Sequence, residues 1–342
     1  MTSRRIRKAR AASFRIVAGL IAAAVLAGPA SSQAISQANP QEWPVRPLTM
    51  IAPFAAGGST DAIARIVAEG LSTQLHQPVI VENVGGAGGM TGTNRVAKAA
   101  PDGYQFVLGN VGTHAHNQTL YKAPLYDAAA DFAPVALIMD QSLVVVTRKD
   151  FPADNLKEFI AYTKANQSKL QYASAGTGGS NHLACVLLNT AIGVNVTHIP
   201  YRSGGQAMQD LLAGRIDYQC PSAPTAMPQI IGQSVKAIAT LSKKRSPGLP
   251  DLPTAHEQGL TDFDIPSWYA LFLPKGTPDP IVRKLNAAAI AALRTPVMQE
   301  RLKAIGSDLV GPERMSPEYL ARFVAAEIKK WAEPIRASGL QL

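Results

Sequence analysis

Residues 53–61 read Pro-Phe-Ala-Ala-Gly-Gly-Ser-Thr-Asp and lie between an apolar strand pattern, residues 48–52, and an amphipathic helix pattern. A second turn of similar composition, residues 174–180, reads Ser-Ala-Gly-Thr-Gly-Gly-Ser and also separates a strand pattern from a helix pattern. Small residues where a helix begins leave its unpaired backbone N–H groups accessible, and the helix dipole favours negative charge at that end. The two turns therefore predict an anion-binding site with two facing halves that uses neither Arg nor Lys.

Short apolar runs alternate with helix patterns along the chain, which is typical of parallel sheets wrapped by helices. Most of the strand candidates are apolar on both faces, as buried strands are. They span residues 48–52, 79–82, 105–109, 143–147, 170–173, 196–199, 216–219, 235–239 and 269–273. The sequence thus predicts an α/β fold.

The N-terminal residues have the composition of a secretory signal peptide. Residues 4–15 contain six basic side chains and no acidic one, and an uncharged apolar run that is too short to span a bilayer follows at residues 16–27. We expect residues 1–34 to be a signal peptide, with cleavage after Ala34 or after Ala38, and the mature protein to be exported by the general secretory route. Removal of residues 1–34 lowers the formal charge from +9 to +3 (9 minus 6).

The remaining 308 residues (342 minus 34) exceed the usual size of a single hydrophobic core, so we expect two lobes. The extended stretches at residues 135–149 and 235–241 are the candidate crossovers between them. They divide the mature chain into a first lobe, residues 43–145 and 242–342, and a second lobe, residues 146–241. The chain is expected to leave the first lobe, build the second and return.

Several function classes are disfavoured because their motifs are missing. The loop from Gly85 to Gly89 does not fit the dinucleotide-binding fingerprint, since Thr91 stands where a glycine is required. No glycine is followed by Lys-Ser or Lys-Thr as in a P-loop, and no serine has glycines two residues before and after it as in a nucleophile elbow. With aromatic residues at 6% and only scattered basic residues, the mature chain is not expected to bind nucleic acid.

The cysteines and polar side chains leave alternatives open. Cys185 and Cys220 are the only cysteines and lack metal-site spacing, so they either pair in a disulfide or remain two separate buried thiols. The serines and histidines near the turns admit a catalytic group, but capping of helix starts or ligand binding is the commoner role of such side chains. Asp61 either receives a ligand amine or fixes the first turn, and Arg202 either pairs with a carboxylate or is a surface charge.

Seven motifs occur in order from Trp43 to near the C-terminus. They are Trp-Pro-x-Arg-Pro at 43–47, the turn at 53–61, Pro-Asp-Gly-Tyr at 101–104, Asp-Phe-Ala-Pro-Val at 131–135, Ile-Pro-Tyr-x-x-Gly-Gly at 199–205, Asp-Leu-Leu-x-Gly at 210–214 and Pro-x-Gly-Thr-Pro at 274–278. Their ordered combination resembles the Bug family, the extracytoplasmic solute receptors of tripartite tricarboxylate transporters. The resemblance implies a type II periplasmic-binding-protein fold, with two lobes joined by two crossover segments and a ligand cleft between them.

The resemblance also implies a function. A periplasmic receptor of this family captures a small carboxylate, which here is expected to be a dicarboxylate, a tricarboxylate or an aromatic carboxylate, and delivers it to the membrane permease of a tripartite tricarboxylate-type transporter. No cofactor and no nucleic-acid partner are expected, and the protein is expected to be a monomer. Carried over by position, the ligand-binding residues are Phe54, Ala55, Ala56, Gly57, Gly58, Ser59, Thr60, Asp61, Thr113, His114, Ser174, Ala175, Gly176, Thr177, Gly178, Gly179, Ser180 and His182. Tyr201 begins a third glycine turn, residues 201–205, between a strand pattern and a helix pattern, and is expected to be a wall of the cleft.

One departure from the resemblance concerns the ligand. Many relatives have an acidic residue after the strand that here ends in Tyr218-Gln219-Cys220, where this chain has Pro221 and Ser222. An unsubstituted or aromatic carboxylate is therefore expected in preference to an amino acid. The rival functions are an enzyme that acts on a small carboxylate on the same scaffold and the effector half of a transcription regulator, and the export segment counts against the second.

Overall fold

The structure, a computed structural model, describes residues 42–342. The predicted signal peptide and both of its predicted cleavage sites lie outside the described residues. Within residues 42–342, no helix is long and apolar enough to cross a membrane.

Eleven strands in this part of the chain form two sheets. The strands are β1 (Leu48–Ala52), β2 (Val79–Asn83), β3 (Gln105–Asn110), β4 (Phe132–Gln141), β5 (Val144–Arg148), β6 (Gln171–Ser174), β7 (Thr197–Pro200), β8 (Tyr218–Gln219), β9 (Val235–Thr240), β10 (Ser267–Pro274) and β11 (Ser307–Leu309). The first sheet has the order β11-β4-β10-β3-β1-β2, and the second has the order β7-β6-β8-β5-β9. In the first sheet β1 is parallel to β2 and β3, and in the second β6 is parallel to β7 and β8.

Ten α-helices connect these strands within residues 42–342. They are α1 (Ser59–Leu75), α2 (Met90–Ala97), α3 (Asn117–Leu120), α4 (Leu156–Asn166), α5 (Ser180–Ile192), α6 (Gly204–Leu212), α7 (Ala223–Ile231), α8 (Asp279–Leu293), α9 (Pro296–Ala304) and α10 (Pro317–Ala337). A π-helical turn, Gly112–His116, leads into α3, and short 3-10 turns occur at Ala87–Gly89 and Pro312–Arg314.

Local sequence accounts for where the main helices lie. In α1 the side chains of Ile63, Val67 and Leu71 recur at helical spacing and are buried, so this helix packs one apolar face against the protein. Asn155 and Ser316 cap α4 and α10, and each side-chain oxygen accepts a hydrogen bond from the N–H three residues further on. Each such cap stabilises its helix by about 1 kcal/mol.

The predicted α/β class is confirmed, and all nine predicted strands coincide with observed ones, with ends that differ by at most two residues. The stretch at residues 135–149 contains two strands that the sequence did not separate, because β4 belongs to the first sheet and β5 to the second. The short edge strand β11 was not predicted. Its three residues are too few to produce a recognisable strand period.

The chain passes between the sheets twice, from β4 to β5 and from β9 to β10. The two passages are adjacent, because the N–H of Leu241 donates to the carbonyl of Leu143 at 2.8 Å. After β9 the chain contacts the second sheet again, where Thr254 pairs with Thr240. The lobes at residues 43–145 with 242–342 and at residues 146–241 remain a proposal, and this pairing favours extension of the second lobe past Thr254.

The two cysteines are disulfide-bonded, with their Cα atoms 5.6 Å apart. Cys185 lies on α5 and Cys220 directly follows β8, so the bond ties a helix to the second sheet. Of the two alternatives that the sequence left open, the structure contains the bridge.

Candidate functional site

A small pocket, here called the inner pocket, lies where the first and second turns face each other between the two sheets. Its lining residues come from connections of both sheets and are Phe54, Gly58, Ser59, Thr60, Asn110, Ala175, Ser180, Asn181, Gly204, Pro221, Ser222, Thr225 and Tyr269. Its volume is about 30 Å³, which exceeds the roughly 10 to 15 Å³ that one bound water molecule needs. The pocket therefore has room for a small polar group.

Four helices begin at the inner pocket. The first residues of α1, α5 and α6 line it, together with Ser222, which precedes α7. Within the described residues, no side chain caps the N-terminal N–H groups of α1, α5 or α7. These N–H groups have no partner inside their helices, and each helix dipole places partial positive charge at this end. Because the lining contains no charged side chain, the helix ends set the electrostatics of the pocket and favour an anion.

The first turn is held in place by its own side chains. The hydroxyls of Ser59 and Thr60 lie 3.3 and 3.2 Å from the Tyr269 hydroxyl. Asp61 accepts a hydrogen bond from the N–H of Gly57 at 3.1 Å and pairs with Arg65 at 2.9 Å. Burial opposes ionisation of this carboxyl, but these partners outweigh burial and lower the pKa of Asp61 below its usual value. Asp61 thus stabilises the turn, which is one of the two roles that the sequence allowed.

Two stacked histidines, His182 and His198, form hydrogen bonds with residues of the second turn. The Nδ1 atom of His182 accepts a hydrogen bond from the N–H of Gly178 at 3.3 Å, and His198 Nε2 lies 2.7 Å from the hydroxyl of Ser174. The two imidazole rings stack with their centroids 4.0 Å apart. Burial, aided by the neighbouring His198, lowers the pKa of His182 to about 3, and burial lowers the pKa of His198 to about 4. Both rings are therefore neutral at pH 7, as an acceptor for the Gly178 N–H must be.

Thr113 and His114, which the sequence predicted as ligand-binding residues, are fully buried and do not line the inner pocket. The π-helical turn that follows β3 directs them into the core, where His114 stacks on Phe272 with ring centroids 3.7 Å apart. Asn110, at the end of β3, lines the pocket in their place. Thr113 supports Asn110, because the N–H of Asn110 donates to the Thr113 hydroxyl at 2.9 Å.

The remaining predicted residues divide among several places. Phe54, Gly58, Ser59, Thr60, Ala175 and Ser180 line the inner pocket. Ala55, Ala175, Gly176, Thr177 and Tyr201 line a second, larger cavity, here called the outer cavity, and Gly57 and Asp61 line a groove beside α6 and α7. Ala56, Ser174, Gly178, Gly179 and His182 line none of the three cavities described.

The two halves of the site are in contact, so the cleft is closed in this structure. The N–H of Ala55 donates to the carbonyl of Arg202 at 3.4 Å, and the hydroxyl of Tyr121 donates to the carbonyl of Thr177 at 3.3 Å. Each of these bonds joins a connection of the first sheet to a connection of the second. A group in the inner pocket is therefore held from both sides.

Seven lining residues were not among the predicted ligand-binding residues: Asn110, Asn181, Gly204, Pro221, Ser222, Thr225 and Tyr269. Asn110 directly follows a predicted strand, and Asn181 directly follows the second turn. Their positions at a strand end and at a helix start were the signals from which they could have been predicted. Tyr269 carried no signal of its own, because an aromatic residue at the start of an apolar strand is equally consistent with core packing.

The described residues assemble no catalytic triad around the pocket. Ser174 and His198 are hydrogen-bonded, but Ser174 is fully buried, and no carboxylate within residues 42–342 hydrogen-bonds to His198. No cluster of three or more metal-ligating side chains occurs in this part of the chain either.

A two-sheet α/β fold with a closed pocket between its halves defines the class of periplasmic binding proteins, and similar structures of that class are known. Residues 63–340 match the family TctC, the tripartite tricarboxylate transporter family receptors, and the chain belongs to this family. The resemblance to the Bug family is thereby confirmed.

Three solved structures illustrate the similarity. The periplasmic binding protein BugD is 41% identical with a TM-score of 0.84, over 87% of this chain and 99% of BugD. MatC from Rhodopseudomonas palustris with bound malate is 39% identical with a TM-score of 0.83, over 85% of this chain and 99% of MatC. A further protein from R. palustris, with adipate, is 32% identical with a TM-score of 0.83, over 87% of this chain and 99% of that protein.

Proposed function

We propose that this protein is a periplasmic receptor that binds a small carboxylate in the inner pocket and delivers it to the membrane permease of a tripartite tricarboxylate-type transporter. The observation that carries the proposal is the convergence of four helix N-termini on one pocket without a charged side chain. A carboxylate accepts hydrogen bonds only, and its two oxygens suit several converging N–H donors. The structures of relatives with malate and with adipate support a carboxylate ligand.

Closure of the cleft follows from the same geometry. The lining of the inner pocket is drawn from connections of both sheets, so a ligand contacts all of it only when the two halves meet. A ligand shifts a conformational equilibrium toward the state in which it makes more contacts. We therefore infer that binding favours the closed arrangement and that the permease recognises this closed form.

The lining also bears on which carboxylate is bound. Pro221 and Ser222 line the pocket, and no carboxylate side chain lines it. An ammonium group on the ligand would find no anionic partner there, and burial of an unpaired charge is costly. We infer that unsubstituted dicarboxylates, tricarboxylates or aromatic carboxylates bind in preference to amino acids.

Calorimetric titration with malate, adipate and benzoate, and with malate diamide as the uncharged analogue, tests the proposal. We expect at least one acid to bind and the diamide not to bind. The variant Gly58→Leu places a side chain in the pocket, and its Cβ meets no atom closer than 3.4 Å, so the fold is retained while binding is lost. Equal binding of acid and diamide, undiminished binding by the variant, or turnover of the acid would contradict the proposal.

A further inference from the structure

The outer cavity lies beside the inner pocket and is much larger, with a volume of about 760 Å³. This lies within the range of roughly 300 to 1,000 Å³ that is common for small-molecule sites. Its walls are mostly backbone of two glycine-rich segments, Gly85–Gly88 and Ala175–Thr177, and its polar side chains include Asn83, Tyr121 and Arg202. No acidic side chain lines it.

The outer cavity adjoins the inner pocket. Ala175 lines both, and the consecutive residues Phe54 and Ala55 line the inner pocket and the outer cavity respectively. Arg202 lies at this junction, because its carbonyl accepts the hydrogen bond from the N–H of Ala55 at 3.4 Å. A molecule with one end in the inner pocket therefore has the outer cavity as the adjoining space for the rest of its structure.

The guanidinium of Arg202 has no ion-pair partner within residues 42–342. The side chain of Arg202 is exposed, and within residues 42–342 its guanidinium makes neither a hydrogen bond nor an ion pair. By contrast, Arg215, at the far end of α6, pairs with Asp210. Leu342 also lines the cavity, but its carboxylate forms no ion pair with Arg202. A guanidinium without a partner, in a cavity without acidic side chains, is suited to bind a carboxylate through two parallel hydrogen bonds.

We propose that the outer cavity is the subsite for the body and the second carboxylate of an elongated diacid, with Arg202 as the residue that binds that second carboxylate. The proposal rests on the receptor function proposed above. The inner pocket, at about 30 Å³, is much smaller than the outer cavity, so the body of an elongated ligand is expected to extend into the outer cavity. The helix ends neutralise the first carboxylate, and Arg202 neutralises the second.

The test compares the affinities for diacids and monoacids of equal chain length in the mature protein and in the variant Arg202→Met. This substitution keeps the length of the side chain and removes its charge. The probes are succinate, adipate and suberate, each paired with butyrate, hexanoate or octanoate. In the variant we expect the affinity for diacids that are long enough to reach position 202 to fall roughly 3- to 10-fold, as for a partly exposed charge-assisted contact. The affinity for the monoacids should change less than about 2-fold, and the loss should diminish at high salt.

A matched control is Arg322→Met, which removes an exposed arginine on α10 and should leave every affinity unchanged. If Arg202→Met lowers the affinities for monoacids and diacids equally, or lowers neither, the subsite assignment is wrong while the receptor function stands. If the unaltered protein binds none of the six acids but binds malate or benzoate, the subsite assignment is wrong and the receptor function stands. If it binds none of the eight acids, both the receptor function and the subsite fail.

Discussion

Gly57 and Gly205 belong to connections of different sheets and approach so closely that no side chain fits between them. A Cβ atom at position 205 would lie 2.8 Å from the carbonyl carbon of Gly57 and closer still to its oxygen. Gly205 is the second residue of α6 and does not have a left-handed backbone, so its own helix would accept alanine. The glycine is needed for the contact between the two halves of the site.

We therefore expect Gly205→Ala to prevent full closure without unfolding the protein. The affinity for the carboxylate ligand should fall about 10-fold or more, because a 1.4 kcal/mol loss of closing energy suffices for that factor. Calorimetry measures the affinity, and the melting temperature of the unliganded variant serves as the control for folding. An unchanged affinity would show that the cleft closes less tightly around the ligand than in this structure.

We predict that Ser222→Asp reverses the preference of the inner pocket for dicarboxylates over amino acids. Aspartate is a favourable residue before a helix, so α7 should still form, but its charge then lies in the inner pocket. We expect dicarboxylates to bind at least roughly 10-fold more weakly through repulsion of like charges and amino acids to gain affinity. Ser222→Asn, which has similar shape and no charge, is the matched control. Equal effects of the two substitutions would argue against an electrostatic cause.

Stability should decrease as the solution becomes acidic, because buried histidines must remain neutral. Burial lowers the pKa of His114 to about 3, and burial with the nearby charge of Lys330 lowers the pKa of His116 to about 3. Between pH 6.5 and 4 the unfolded chain binds protons that the folded protein does not, so the free energy of unfolding is highest above pH 6.5 and falls below it.

For His116 alone this loss is about 2 kcal/mol between pH 7 and pH 5. His116→Phe keeps an aromatic ring against Trp331, which the histidine contacts edge to face with centroids 4.6 Å apart, and it removes the ionisable group. Urea denaturation at both pH values should show a pH dependence that is smaller by that amount in the variant. The same pH dependence in both proteins would mean that His116 is already protonated or is accessible to solvent.

The disulfide is predicted to contribute substantially to stability. The bond closes a loop between residues 35 positions apart, for which the loss of chain entropy in the unfolded state corresponds to about 4 kcal/mol. The double variant C185A/C220A should therefore unfold at markedly lower urea concentration than the parent protein, and reduction of the parent should have a similar effect. A difference below about 1 kcal/mol would show that the unfolded chain remains compact between these residues.

Local sequence determined most of the strands and the glycine-rich turns of this protein. The apolar runs predicted nine strands, and the glycine-rich segments predicted the two turns that line the inner pocket, because strand period, helix caps and unobstructed helix starts depend on residues close together in the chain. The ordered motifs predicted the family, which the match over residues 63–340 confirms.

Only the tertiary structure decided which residues line the pocket. Asn110 lines it and Thr113 does not, because a π-helical turn after β3 places the latter in the core. Tyr269 reaches Ser59 and Thr60 from 210 and 209 residues away because β10 pairs with β3 at the end where Asn110 lies. Such neighbours are set by the order of strands in a sheet, and the period of a single strand or helix does not contain that order.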